Sequence, residues 1–370
     1  MNKRVFLLNG LAILSVVLNH ATSWGYTAMF WWTNRYRSVT VPNYDQVGTW
    51  PYYVVSVVRQ LTLFSVPAFV FVSGFFIAYA ARGDQSTLTW KMVRTRIQNL
   101  LVPYFIWSLV IFVGDALQGI RYTPIEYGLQ LVIGKVEGGY YFVPLLCQLY
   151  LLSPWVTLLA KTRWRQLLVG TALLQIAAMS VIYIRFLWGM HVGSLDITRF
   201  IMPEVVFVRW GFFFSFGVVG GLYLQQFQQW LTRVRWFLLA AAIILGVLSI
   251  LEPELVYRWI KEDWHGNAAL ISTSLYATAF VPCLLAFDRV FLPFSQALHQ
   301  LASRSFGIYL LHDKWMELVA RVIRQLVPWI LSQQWLFQPV LILVGLSGPL
   351  LLMTAVTRSP ARRCYRYLFG

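Results

Sequence analysis

The sequence predicts an all-α fold: a polytopic membrane protein built as a bundle of about ten transmembrane helices. Of the 370 residues, 58% are hydrophobic and 12% are charged, and the mean hydropathy is +0.62. A soluble domain carries about a quarter charged residues, whereas here long apolar blocks alternate with short charged clusters. No internal repeat or appended soluble domain is evident, so residues 1–370 are predicted to form a single domain.

Ten apolar blocks, each about as long as a bilayer-spanning helix, are the predicted spans. They lie near residues 5–22, 54–80, 98–116, 140–160, 166–187, 205–225, 236–251, 268–287, 303–325 and 336–357. The basic MNKR start resembles that of a signal peptide. However, the His and Trp after the first block and the lack of an A-x-A site favour a retained helix.

The basic residues predict the orientation of these spans in the cell membrane. Seventeen lysines and arginines fall on the side that carries Lys3 and Arg4, and eight fall on the opposite side. Because cytoplasmic loops carry the excess of Lys and Arg, both termini are predicted to be cytoplasmic. The net charge of +16 is dispersed at the ends of blocks, which indicates topology signals and no nucleic-acid-binding face.

Cysteine and histidine spacing predicts neither a disulfide framework nor a metal site. Cys147, Cys283 and Cys364 show no CxxC spacing, and the histidines show neither HxxxH nor HExxH spacing.

Ionisable side chains inside the spans mark the candidate site. A helix rises about 1.5 Å per residue, which puts His20 and Arg59 in the outer halves of their spans and His312 and Asp313 near mid-depth. Such groups face the bundle interior or a wet cavity. Imidazole exchanges protons near neutral pH, so both histidines are predicted to have a functional role.

Two other features have a structural interpretation beside the functional one. On the ninth span Asp313, Glu317, Arg321 and Arg324 share a helical face, which is predicted to look into the bundle or a wet cavity. The aromatic-rich segment 22–50 suits a membrane interface or a sugar-stacking surface, and the interface is favoured because aromatic belts are general.

Five segments, in their order along the chain, resemble the acyltransferase 3 family of integral membrane acyltransferases. They are RVFLLNGLAILSVVLNH (4–20), SVPAFVFVSGFFIAYAAR (65–82), RTRIQNLLVPYFIWSL (94–109), GGYYFVPLLCQLYLLSPW (138–155) and SFGIYLLHD (305–313). The resemblance implies about ten helices with cytoplasmic termini. It also implies transfer of an acyl group, commonly acetyl from acetyl-CoA, to a hydroxyl of an envelope carbohydrate or lipid. In that family the first-helix histidine, here His20, is the implied catalytic base or acyl-handling group, and Tyr309 and His312 would line the same cavity.

The chain departs from the family pattern at two arginine positions. Many members have an arginine eleven positions before the histidine, where this chain has Asn9, and the second arginine of the third-helix stretch corresponds to Asn99. The phosphates of an acyl-CoA would then need other cations, or the protein would use another donor or have lost catalysis. The available cations are Lys91, Arg94, Arg96 and Arg4.

The resulting hypothesis is a reaction across the membrane. The nucleotide of an acyl-CoA binds the basic start of the third span, because phosphates need delocalised positive charge. The thioester then reaches the outer half, where His20 removes a proton from the acceptor hydroxyl. His312, oriented by Asp313 or Glu317, supports the proton transfer, and Arg59 stabilises the oxyanion.

Two alternatives remain open at this point. Buried histidines and Arg–Glu groups also suit a transporter or exporter of an envelope saccharide or lipid, although the hydropathy shows no inverted repeat. A catalytically silent relative that binds an envelope partner is the other alternative, because of Asn9.

Overall fold

The computed structural model describes residues 2–81, 88–188, 204–260, 270–287, 290 and 294–370. These residues contain no β-strand and form helices that we number in chain order. They are α1 Asn2–Tyr26, α2 Trp50–Thr62, α3 Ser65–Ala80, α4 Trp90–Leu117, α5 Pro124–Ile133, α6 Phe142–Trp188, α7 Gly211–Leu222, α8 Leu224–Ile260, α9 Ile271–Ala286, α10 Ser295–Ser303, α11 Ser305–Leu326, α12 Gln334–Arg358 and α13 Tyr365–Phe369. The predicted all-α fold class is confirmed.

Within the described part of the chain, six helical segments are long and apolar enough to cross a membrane. They are Lys3–Trp31, Trp50–Ala80, Trp90–Leu117, Phe142–Ile184, Leu224–Trp259 and Gln334–Arg358. Two shorter apolar helices, Gly211–Leu222 and Ile271–Ala286, coincide with two further predicted spans. The protein is thus a helical membrane protein, while ten crossings and cytoplasmic termini remain predictions.

Two helix boundaries differ from the apolar blocks. The fourth and fifth predicted spans follow one another within α6, where Arg163 interrupts the helical backbone with φ −143° and ψ 47°. The second predicted span is divided between α2 and α3. Pro67 in the first turn of α3 has no N–H to donate to the carbonyl of Leu63. Helix α2 therefore ends at Thr62, and α3 begins at Ser65.

Helix α1 lies inside the bundle, which is why polar groups on it do not face lipid. It packs against α2, α3, α9, α10, α11 and α12. Val5, Ala12, Ile13 and Val17 on it are fully buried. Because α1 contacts all of these helices, it places His20 among other helices.

Helices α3 and α7 pack closely against each other. A Cβ added at Gly217 would lie 2.0 Å from the Phe71 carbonyl oxygen, and one added at Gly74 would lie 2.2 Å from the Phe214 oxygen. Gly217 and Gly221 are four residues apart on α7, the small-residue spacing that lets helix backbones approach inside a membrane. The glycines therefore set the distance between the two helices, and α3 carries one wall of the site described below.

We expect Gly217→Ala to destabilise the protein by about 1–3 kcal/mol, because the added methyl group forces two helix backbones apart. The measurement is the midpoint of thermal unfolding in detergent. Gly211→Ala on the same helix is the matched control, since a Cβ there meets no atom within 4 Å. Equal midpoints for the two variants would contradict this account of the α3–α7 contact.

Candidate active site

The C-terminal part of α1 and the first half of α11 bring His20 into contact with Asp313. His20 Nδ1 lies 3.2 Å from Asp313 Oδ2, and the two side chains are only 19% and 14% exposed. An ionised carboxylate is an acceptor only, so the neutral imidazole carries its proton on Nδ1 and leaves a lone pair on Nε2. This is the arrangement of a histidine base oriented by a carboxylate.

Trp24 provides the other hydrogen bond to the same carboxylate. It lies one turn after His20 on α1, and its Nε1 donates to Asp313 Oδ1 at 3.0 Å. Residues four apart share a helical face, so α1 presents both donors to α11. Each oxygen of Asp313 thus has one N–H partner, which fixes the carboxylate and, through it, the His20 ring.

His312 lies against His20 and is held by its own helix. The two imidazole rings meet edge to face, with centroids 4.8 Å apart. The Nδ1 atom of His312 lies 3.1 Å and 2.8 Å from two backbone carbonyl oxygens in the preceding turn. Its Nε2 atom is buried and has no hydrogen-bond partner among the described residues.

The carboxylate that orients a histidine therefore acts on His20. The sequence-based hypothesis had Asp313 or Glu317 orienting His312, and the structure differs on this point. Asp313 follows His312 directly, and adjacent residues on a helix do not face each other. Glu317 instead forms ion pairs with Arg321, at 2.6 Å, and with Lys314, at 2.7 Å.

A cavity of about 400 Å³ opens at the His20–Asp313 pair, and we call it the His20 cavity. Arg59 from α2 and Glu204 also line it, so the cavity contains cationic and anionic groups from separate elements. The Arg59 guanidinium lies 5.2 Å from the centre of the Tyr26 ring. Three of the predicted catalytic residues thus share one cavity, and His312 borders it through its contact with His20.

Gly138 and Gly139 leave open space directly at the imidazole. A Cβ added at Gly139 would lie 3.5 Å from His20 Nε2 and 3.6 Å from the Tyr309 ring. A Cβ added at Gly138 would lie 3.6 Å from Asp313 Oδ2. Because neither residue has a side chain, the lone pair on Nε2 faces room for a reacting group.

A charged cluster stands beside the pair, on the loop before α6 and on α11. Lys314 Nζ lies 2.5 Å from Glu137 Oε2 as well as contacting Glu317. Burial, together with the nearby Asp313 carboxylate, raises the pKa of Glu137, while the ion pair with Lys314 opposes this rise.

A second cavity, of about 220 Å³, lies nearer the start of α1, and we call it the Arg96 cavity. Asn9 and Tyr309 line it together with Arg96. Asn9 precedes His20 by eleven residues, or about 16 Å along a helix. Lys91 and Arg94, the other predicted donor-binding cations, are exposed on the same helix α4 and do not line this cavity.

The two asparagines at the family's arginine positions make hydrogen bonds of their own. Asn9 Nδ2 donates to the Ala302 carbonyl oxygen at 3.2 Å and to Ser305 Oγ at 3.1 Å. Asn99 Oδ1 accepts a hydrogen bond of 2.9 Å from Arg366 Nη2. Asn9 thus ties α1 to the start of α11, and Arg96 supplies positive charge in the cavity beside it.

Sequence reasoning did not single out Trp24, Glu137, Gly138 or Gly139. Trp24 could have been found from the sequence, because it lies one helical turn after His20 and therefore on the same face of α1. The glycine pair had a weaker signal, a Gly-Gly dipeptide before a predicted span. Glu137 had no signal, since only the fold brings its loop to α11.

Among the described residues, no group of three or more His, Cys, Asp and Glu side chains is arranged to hold a metal ion.

Comparison with known proteins shows the family of the chain. The family model of the acyltransferase domain, acyltransferase 3, matches residues 5–354. The chain belongs to the acyltransferase 3 family. The resemblance read from the five sequence segments is thereby confirmed over nearly the whole chain.

A curated relative supports the same assignment. The chain is 22% identical over 327 residues to "Putative membrane-bound acyltransferase YfiQ" of Bacillus subtilis (strain 168), a match that covers 85% of this chain and 81% of that protein. No solved structure matches the chain. Family membership and the six apolar helices support a membrane-bound acyltransferase.

Proposed function

We propose that this acyltransferase 3 protein transfers an acyl group, in the simplest case acetyl, from acyl-CoA to a hydroxyl of an envelope carbohydrate or lipid. The observation that carries the proposal is the His20–Asp313 pair, 3.2 Å apart, at a cavity of about 400 Å³. An imidazole whose Nδ1 contacts a carboxylate while Nε2 faces open space suits general-base catalysis of acyl transfer to an alcohol.

In the proposed reaction His20 Nε2 accepts the proton of the acceptor hydroxyl while that oxygen attacks the thioester carbonyl. A new C–O bond forms, the C–S bond of the donor breaks, and His20 returns the proton to the leaving thiolate. Asp313 stabilises the imidazolium that exists between these two proton transfers and holds the ring in place, as in other histidine–carboxylate pairs.

Two neighbours have supporting roles in this proposal. Arg59 lines the same cavity and supplies positive charge for the oxyanion that develops on the thioester carbonyl. His312 packs edge-on against His20 while its own Nδ1 lies against backbone carbonyl oxygens of α11, so it helps to hold the His20 ring in position.

The donor enters through the Arg96 cavity. Arg96 donates to the Phe76 carbonyl oxygen at 3.3 Å, which holds the guanidinium at the cavity wall. Lys91 and Arg94, exposed on the same turns of α4, bind the anionic nucleotide outside. If the termini are cytoplasmic, the start of α4 with Lys91 and Arg94 is also cytoplasmic. Acyl-CoA is found on that side of the membrane in cells.

The proposal is tested with purified protein in proteoliposomes, labelled acetyl-CoA and a panel of envelope carbohydrates and lipids. Label recovered as an ester on an acceptor, with release of free CoA thiol, supports it. Failure to bind or consume any acyl-CoA, combined with passage of an acceptor across the vesicle membrane, would establish the transporter alternative.

We expect Arg96→Gln to raise KM for acyl-CoA by about 10- to 100-fold with a smaller change in kcat. A charge-assisted hydrogen bond is worth roughly 1.5–3 kcal/mol, and the reacting atoms lie in the other cavity. The measurement is initial rate against acyl-CoA concentration. Arg233→Gln is the control, because that arginine is exposed on α8 and lines neither cavity. A changed kcat at constant KM would refute this role for Arg96.

A further inference from the structure

The His20 cavity and the Arg96 cavity share one wall. Among the residues that line them, Phe69, Phe142 and Tyr309 line both. Each comes from a different helix, α3, α6 and α11. We call these three side chains the aromatic partition, because a group that passes from one cavity to the other has to pass them.

The partition is a packed group of rings with one firmly held member. The Phe142 ring centre lies 5.8 Å from that of Phe69 and 5.8 Å from that of Tyr309. The Tyr309 hydroxyl donates to the Gly139 carbonyl oxygen. Phe306 also stacks on Tyr309, with ring centres 6.0 Å apart. Tyr309 is thus fixed at its hydroxyl end and on its face.

Phe69 differs from the other two rings in burial. Phe142 is 8% exposed and Tyr309 is 7% exposed, whereas Phe69 is only half-buried. Side chains in partly open surroundings change rotamer more readily than side chains packed on every side. Phe69 is therefore the ring whose movement widens the passage.

We propose that the aromatic partition selects the acyl group by size, admitting short acyl chains to His20 and rejecting longer ones. This inference rests on the proposed acyl-CoA reaction and deepens it by naming the residues that limit the length of the acyl chain. The CoA part of the donor occupies the Arg96 cavity. The acyl group at the end of its uncharged pantetheine arm has to pass between Phe69, Phe142 and Tyr309.

Space beyond the partition sets a second limit on the same group. A methyl group added at Gly139 would contact both His20 Nε2, at 3.5 Å, and the Tyr309 ring, at 3.6 Å. The thioester carbonyl and the acceptor oxygen both have to approach Nε2 there. A longer acyl chain then extends back between the rings of the partition.

The test compares acyl-CoA donors of increasing length on wild-type protein and on Phe69→Ala. For wild type we expect kcat/KM to fall by at least about tenfold between acetyl-CoA and hexanoyl-CoA, since one extra methylene in a tight pocket costs 10–200-fold. Phe69→Ala should reduce this preference by about tenfold, through higher kcat/KM for the longer donor. Phe69→Leu, a smaller truncation, should give an intermediate preference and covers the case in which the alanine variant does not fold.

Phe212→Ala is the matched control, because Phe212 is also half-buried and lines neither cavity. An unchanged chain-length preference in both Phe69 variants, with active wild-type protein, would overturn the role of the partition. Absence of transfer from every acyl-CoA by folded wild type would instead overturn the proposed function. A general loss of rate at unchanged preference would mean that Phe69 is merely structural, which also rejects the inference.

Discussion

His20→Ala is expected to lower kcat for acyl transfer by about 10²–10⁴-fold, the usual contribution of a general base. The variant removes the Nε2 lone pair that faces the gap at Gly139. Donor binding should remain within a few-fold of wild type, because His20 does not line the Arg96 cavity. The measurements are single-turnover transfer of labelled acetyl and equilibrium binding of acetyl-CoA.

His20→Gln and His299→Ala complete the design of this experiment. Glutamine retains an N–H that can reach Asp313 and so keeps the local hydrogen bond, yet it has no basic nitrogen, and it should be as inactive as alanine. His299 stacks on Phe6, with ring centres 5.4 Å apart, and should keep full activity when replaced. Transfer by His20→Ala at more than a third of the wild-type rate would remove His20 from the chemistry.

Gly139→Ala should lower kcat by about 100-fold while leaving the fold intact. The new methyl group would lie 3.5 Å from His20 Nε2, in the space that the acceptor hydroxyl needs. Misplacement of a reactant by about 1 Å costs on the order of 10²-fold in rate. Contacts of 3.5–3.6 Å to His20 and Tyr309 are ordinary van der Waals distances, so the substitution creates no clash. Steady-state transfer and the thermal unfolding midpoint are the two measurements.

Gly128→Ala on α5 is the control for this substitution, because a Cβ there meets nothing within 4 Å. It should leave transfer unchanged and, since alanine favours helix, should not lower stability. If Gly139→Ala is as active as Gly128→Ala, the reacting oxygen does not approach Nε2 from the Gly139 side. A lowered unfolding midpoint in Gly139→Ala would instead assign the loss of activity to the fold.

The helical membrane class followed from hydropathy because the bilayer constrains each span separately. A backbone in hydrocarbon has to satisfy its own hydrogen bonds, so a long apolar block becomes a helix whatever its neighbours are. For this reason the apolar blocks coincide with helices, including the shorter Gly211–Leu222 and Ile271–Ala286. Boundaries were less predictable, since Arg163 interrupts α6 without a separate loop.

The site was predicted in part for the same reason. Ionisable residues are rare inside apolar blocks, so His20, Arg59, His312 and Asp313 stood out individually. The pairing of these residues could not be predicted from the sequence, because it depends on how helices that are distant along the chain pack together. Trp24 and Asp313 are 289 residues apart and still share a hydrogen bond.

By itself the sequence determined that this chain is a helical membrane protein of the acyltransferase 3 type, because hydropathy and motif order are local properties of the chain. Only the tertiary structure decided that Asp313 holds His20, that glycines leave the imidazole open, and that three aromatic rings stand between the two cavities. The physical reason is that hydrogen bonds, free space and shared walls arise between helices. Their geometry is set by packing, which no single segment encodes.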